Sequence, residues 1–177
     1  IIYFIALAIY GFAEIGFQRK YSRQKSKKPD AGLALIIIPF YAALYLAPLE
    51  YYFLKPTLHT TTIIVGYIVL LTGVFIRFSG LLALQHNFSM AIECKDETML
   101  VTTGIYKYIR HPLYLATIIL ASSGCLIFSS VFCWLFFVVT IYGIVLRINK
   151  EEEFLLKQFP AYNAYCQRSK RLIPLVY

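Results

Sequence analysis

Five stretches of this chain, roughly 1–17, 31–54, 62–85, 112–128 and 131–148, are almost free of charge. Only Glu14, Glu50, Arg77 and Arg147 interrupt them. A helix rises about 1.5 Å per residue, so ~20 apolar residues cross the ~30 Å of bilayer hydrocarbon. Each run is close to that length. A chain of 177 residues that is 59% hydrophobic and only 15% charged also has too little polar surface for an ordinary soluble domain. The expected fold is therefore an all-α integral membrane protein with about five transmembrane helices, forming a single membrane-embedded domain over 1–177. Residues 1–17 have neither the charged n-region nor the cleavage site of a signal peptide, and read as the first span. Pro39 and Pro48 predict a kinked second span, with a re-entrant path as the alternative. Gly66, Gly73 and Gly80 recur every seven residues in the third span, which predicts tight packing against another helix.

The formal net charge of +8 does not point to nucleic acid, because the basic residues alternate from loop to loop. With five spans, 15 of them fall on one side of the membrane and only Lys55 on the other, Arg77 lying within a span. This is the positive-inside pattern, placing the N-terminus outside and the C-terminus in the cytoplasm, at the cell membrane in a prokaryote. The basic loop 18–30 is suited to anionic lipid headgroups. Four cysteines without a CxxC, and no histidine cluster, predict neither a structural nor a catalytic zinc site. Asn87-Phe88-Ser89 matches a glycosylation sequon, but its predicted cytoplasmic position argues against modification.

Polar chemistry concentrates in two places. TTGIYKYIRHPLY, residues 102–114, puts Arg110 and His111 at the mouth of the fourth span, with Pro112 suited to the first turn of a helix. RINKEEEFLLKQF, residues 147–159, follows about one membrane hairpin later, so the two clusters should meet on the same side. If the fifth helix continues past the membrane, Arg147 and Glu151 share a face at i and i+4. Glu151, Glu152 and Glu153 form a costly like-charge run unless one meets a cation. The apolar residues Phe154, Leu155, Phe159, Tyr162 and Tyr165 predict a cytoplasmic amphipathic segment docked on the membrane, split by Pro160 into two short helices. Arg77 is deep enough in its span to pair with Glu14 or Glu50 as a structural lock.

The first of these segments resembles the TGxYxxxRHPxY signature of the isoprenylcysteine carboxyl methyltransferase family. EEEFLLKQFPAYNAY at 151–165, followed by RLIP at 171–174, is similar to that family's EExxLxxxFxxxYxxY…R.IP ending. The likeness spans about 85–177, the expected cofactor-binding half, and the chain's size resembles the short prokaryotic members. It implies S-adenosyl-L-methionine bound in a cytoplasm-facing pocket. Tyr106, His111, Pro112, Leu113 and Tyr114 would wrap the cofactor, Met99, Leu100 and Val101 would line it, and Glu151 would hold one of its polar parts. Arg147 would face the carboxylate of a prenylcysteine-type lipophilic substrate. A position where relatives often carry Gln falls at Ala91 or Glu93 here, and Pro160 stands where they carry Gly.

The implied chemistry suits the residues. Methyl transfer from a sulfonium to a carboxylate that is already ionised near pH 7 needs no general base. Positioning and desolvation suffice, so the absence of a Ser/His/Asp arrangement is no objection. No glycine-rich loop follows a strand, which excludes the common soluble methyltransferase architecture. Phospholipid N-methyltransferases share the signature and are the alternative. Their amine acceptor must lose a proton and has less need of Arg147. A sterol-reductase-like enzyme or a non-catalytic membrane scaffold ranks lower.

Overall fold

A computed structural model describes residues 2–21, 31–85 and 100–173 of the chain. Six α-helices make up the described fold: α1 (Ile2–Tyr21), α2 (Ala31–Leu54), α3 (Thr60–Leu84), α4 (Pro112–Ile127), α5 (Phe132–Gln158) and α6 (Tyr162–Arg168). A 3-10 turn, Gly104–Lys107, precedes α4. The protein is an all-α integral membrane protein. Three helical stretches, Gly32–Leu54, Thr60–Leu84 and Phe132–Gln158, are long and apolar enough to cross a bilayer. Its surface agrees: Phe12, Ile38, Leu71 and Phe75 are each at least two-thirds exposed, as side chains facing lipid would be.

Helix α4 lies at the centre, against α2, α3 and α5. Its contact with α3 explains the glycine spacing. A Cβ on Gly66 would sit 2.5 Å from Ile127 Cγ1, one on Gly73 2.8 Å from Leu120 Cγ, and one on Gly80 2.8 Å from Leu113 Cδ2. Seven-residue steps down α3 thus meet seven-residue steps up the antiparallel α4. Without a hydrophobic driving force between helices in lipid, such close approach supplies the packing that holds them.

Helix α1 is attached differently. Tyr3, Leu7, Tyr10, Glu14 and Phe17 form its buried stripe at alternating four- and three-residue steps. Tyr3 donates to the Leu44 carbonyl at 3.0 Å and meets Phe128 edge-on, and Tyr10 meets Phe78 edge-on. Glu14 forms an ion pair with Arg77 of α3, which also donates to the Leu113 carbonyl of α4 at 3.3 Å. The lock expected of Arg77 is therefore present, and Glu14 is its partner. Glu50 serves a different end of the bundle. Its carboxylate accepts from the Ser130 hydroxyl and from the backbone N–H of Val131 (2.8 Å) and Phe132 (3.3 Å). It satisfies N–H groups that the start of α5 would otherwise leave open, at the positive end of the helix dipole.

Helix α2 runs helical through Pro39 and Pro48, as expected, rather than taking the alternative re-entrant path. One element departs from the sequence expectation. Helix α5 does not stop near 148; it runs unbroken to Gln158, about 40 Å at 1.5 Å per residue. Residues 154–158 are the end of that rod, and the separate short helix is α6, after Pro160. The strong helix formers of RINKEEEFLLKQ carry α5 past its apolar part.

Candidate active site

The site lies where the first turn of α4, the polar end of α5 and the chain after α6 converge. Pro112 occupies the first turn of α4, and the His111 carbonyl accepts from Leu115 N–H at 3.1 Å. Just before it, residues 108–111 run alongside 170–171. Lys170 N–H donates to the Tyr108 carbonyl (3.0 Å), Arg110 N–H to the Lys170 carbonyl (2.7 Å) and His111 N–H to the Arg171 carbonyl (3.1 Å). The RLIP motif thus reaches the RHP motif through backbone pairing. Gly104 opens the 3-10 turn at φ +61°, a conformation that a residue with Cβ adopts only under strain.

The charged run on α5 is sorted by helical rotation, about 100° per residue. Glu151 Oε2 accepts from the Tyr114 hydroxyl at 2.9 Å, and that hydroxyl accepts from Arg147 Nε at 2.8 Å. Tyr114 therefore bridges the Arg147–Glu151 pair that the i, i+4 spacing anticipates. Glu152 points elsewhere. Its Oε1 meets Arg110 Nε (2.9 Å) and His111 Nε2 (3.2 Å), and its Oε2 meets Arg171 Nη2 (2.8 Å). Glu153 turns out to solvent and pairs with Lys157 at 2.6 Å. Three adjacent carboxylates are tolerable because each has its own partners.

Tyr106 is buried on the 3-10 turn, and its carbonyl accepts from the Tyr165 hydroxyl at 2.6 Å. Burial, followed by the nearby Glu151 and Tyr165, pushes the Tyr106 phenol above its ordinary value. Burial likewise pushes Tyr165 up to about 12, which keeps it a hydroxyl donor across the neutral range.

Of the residues singled out from sequence, Tyr106, His111, Pro112 and Arg147 are buried, while Leu100, Val101, Leu113, Tyr114 and Glu151 are partly buried. Tyr114, Arg147 and Glu151 form one hydrogen-bonded chain, and His111 stacks obliquely beside Tyr114 with ring centres 5.7 Å apart. Met99, Ala91 and Glu93 lie outside the described residues, as do most of the basic loop 18–30 and the sequon. Sequence reasoning does not assign Glu152, Arg110 or Arg171, although their ion pairs make them the ionic centre of the site. The signal available is the triple glutamate itself, which needs cations to be stable next to a membrane.

Comparison with known proteins agrees with this architecture. Residues 64–157 match the model of the isoprenylcysteine carboxyl methyltransferase (ICMT) family, a range that takes in most of α3 and ends before α6. The chain is 30% identical over 108 residues to the protein-S-isoprenylcysteine O-methyltransferase of Schizosaccharomyces pombe, covering 59% of this chain and 46% of that protein. It is 30% identical over 144 residues to that of Dictyostelium discoideum, covering 74% and 54%. The chain thus spans about half the length of these relatives. The solved structure of the eukaryotic intramembrane Ras methyltransferase ICMT shares the fold, with a TM-score of 0.73 and 23% identity over 98% of this chain and 65% of that one. Matched over more than half its length by the family model, this chain belongs to the isoprenylcysteine carboxyl methyltransferase family.

Proposed function

We propose that the protein is an S-adenosyl-L-methionine-dependent methyltransferase acting on the carboxylate of a C-terminal prenylated cysteine or a similar lipophilic acid. The observation that carries this reading is the Arg147–Tyr114–Glu151 chain at the polar end of an apolar bundle. A buried guanidinium suits an acceptor carboxylate, which it can grip through two parallel hydrogen bonds. Esterification removes the charge that Arg147 holds, and so favours release of the product.

The donor set also suits the cofactor, whose methionine part carries an ammonium and a cationic sulfur. Glu151 offers a carboxylate, and Tyr106 and Tyr114 offer aromatic faces to positive charge. Bound S-adenosyl-L-methionine supplies an electrophilic methyl group. The protein's part is to orient the acceptor through Arg147, fix that arginine through Tyr114, and exclude water with Tyr106, Pro112 and Leu113. Leu100 and Val101 lead into the same pocket, with Met99 before them, and residues 85–177 form the cofactor-binding half.

In this reading the chain makes five crossings, with α1 and α4 completing the set. The N-terminus lies outside, and the basic loops, anionic lipid headgroups and cofactor pocket lie on the cytoplasmic side. The lipid chain of the substrate enters laterally between helices.

Calorimetric titration of the detergent-purified protein with S-adenosylhomocysteine tests the cofactor. Radiolabelled methyl transfer to a farnesylcysteine analogue, set against phosphatidylethanolamine, tests the acceptor. Labelling of the carboxylate alone is the expected result, whereas labelling of the amine lipid alone sinks the carboxylate reading.

A further inference from the structure

Glu152 is a buried acid at the site that has no part in the methyl-transfer reading. Its environment is specific: Oε1 is shared by Arg110 Nε at 2.9 Å and His111 Nε2 at 3.2 Å, while Oε2 takes Arg171 Nη2 at 2.8 Å. Arg110 is itself anchored, donating to the Cys166 carbonyl at 3.1 Å and to the Ser169 carbonyl. An acid facing two guanidinium groups is held as a carboxylate, and a carboxylate can only accept hydrogen bonds. Whatever nitrogen of His111 faces it must therefore carry a proton.

We propose that Glu152 is a positioning residue that fixes His111 as the Nε2–H tautomer, leaving Nδ1 as the ring's lone-pair acceptor. The side-chain amides and carboxylates of a site accept from many ligands, but a locked imidazole selects. Nδ1 would take an N–H or O–H donor of the bound nucleoside or amino-acid part and reject a second acceptor. The Nε2–H···carboxylate bond also stops the ring from flipping, as such outer partners do for other functional histidines. Arg110 and Arg171 belong to the same device, because they keep Glu152 ionised and tie it to the segments just before α4 and just after α6. The assignment of Nδ1 to the ligand rests on the proposed cofactor reading; the tautomer assignment does not.

The test is long-range 1H–15N correlation on 15N-histidine-labelled protein. The chain has three histidines, so His59→Gln and His86→Gln leave His111 as the single imidazole. The expected spectrum of the ligand-free protein shows a pyridine-type nitrogen at Nδ1 and a protonated Nε2. A pyridine-type Nε2, or a doubly protonated ring, overturns the proposal. Addition of S-adenosylhomocysteine should then shift Nδ1 more than Nε2. An unshifted Nδ1 in a saturated protein overturns its role as ligand acceptor. No binding at all, with the tautomer intact, instead counts against the cofactor reading. Two isosteric variants complete the test. His111→Asn keeps an oxygen acceptor near the Nδ1 position, and His111→Gln keeps only a group near Nε2. The loss of one ligand hydrogen bond predicts about tenfold weaker binding for His111→Gln than for His111→Asn. Equal affinities, or the reverse order, overturn the proposal.

Discussion

Two buried ionic centres stand out among the described residues, and they are built on opposite plans. Glu14–Arg77 joins helices that already pack through Tyr3, Leu7, Tyr10 and Phe17, with a carboxylate facing a guanidinium. Glu152 gathers Arg110, His111 and Arg171 from two irregular segments, which are also joined by backbone hydrogen bonds and bury Ile109 and Leu172. The first centre neutralises charge inside an existing core. The second adds an ionic tie where two irregular segments already pair through their backbones: remove the carboxylate, and Arg110, His111 and Arg171 lose an acceptor that they share. A buried ion pair is weak evidence for stability where packing can substitute for it, and stronger evidence for organisation where one carboxylate collects cations from separate segments.

That contrast can be broken at several levels. The largest effect belongs to the reaction itself. Arg147→Ala should lower kcat/KM for a prenylcysteine acceptor by roughly 100-fold or more, about 3 kcal/mol of transition-state stabilisation, with cofactor affinity changing far less. A proportional loss of cofactor binding would move Arg147 from substrate to cofactor. Next is Glu152→Ala, which leaves the near-buried Arg110 guanidinium without its anion and should cost about 3 kcal/mol in detergent unfolding. The contrast predicts the opposite for the other centre: Glu14→Leu combined with Arg77→Met should lie within about 1 kcal/mol of the parent. If the double variant collapses as badly as Glu152→Ala, the two centres are alike and the comparison fails.

Between these, Gly73→Val would drive a side chain into Leu120 and should destabilise by about 1–3 kcal/mol. At the bottom of the scale is Lys157→Ala. It removes an exposed pair with Glu153 and should leave the thermal midpoint unchanged within error.

Which of these features can be read from sequence follows from the range of the interactions involved. Helix existence is legible because the apolar runs are set by bilayer thickness. The glycine repeat in α3 is legible as a packing surface, and its partner residues 113, 120 and 127 carry the same seven-residue step. Arg147 and Glu151 are legible as one face of a helix, but the bridging hydroxyl of Tyr114 is not, since it comes from another helix. The extent of α5 escapes hydropathy, which falls where the helix leaves the lipid, while helix propensity does not. Glu50 looks like an expensive membrane charge and is a cap for α5, a role that depends on a turn 80 residues away. Glu152 is hidden for a similar reason: in the run EEE nothing local distinguishes the middle residue, and only the folded positions of Arg110 and Arg171 do so.

The backbone pairing of 108–111 with 170–171 has a consequence for how the protein is made. Synthesis proceeds from the N-terminus, so every helix from α1 to α6 has left the ribosome before Arg171 has. A nascent chain can therefore insert and pack its apolar helices while the segment that anchors His111 is still missing. Whatever the site binds cannot serve as a template for membrane insertion in such a scheme, because the site closes only once residues 170–171 have been made. A closed site then reports that translation has passed residue 171 and that the segment around it has docked.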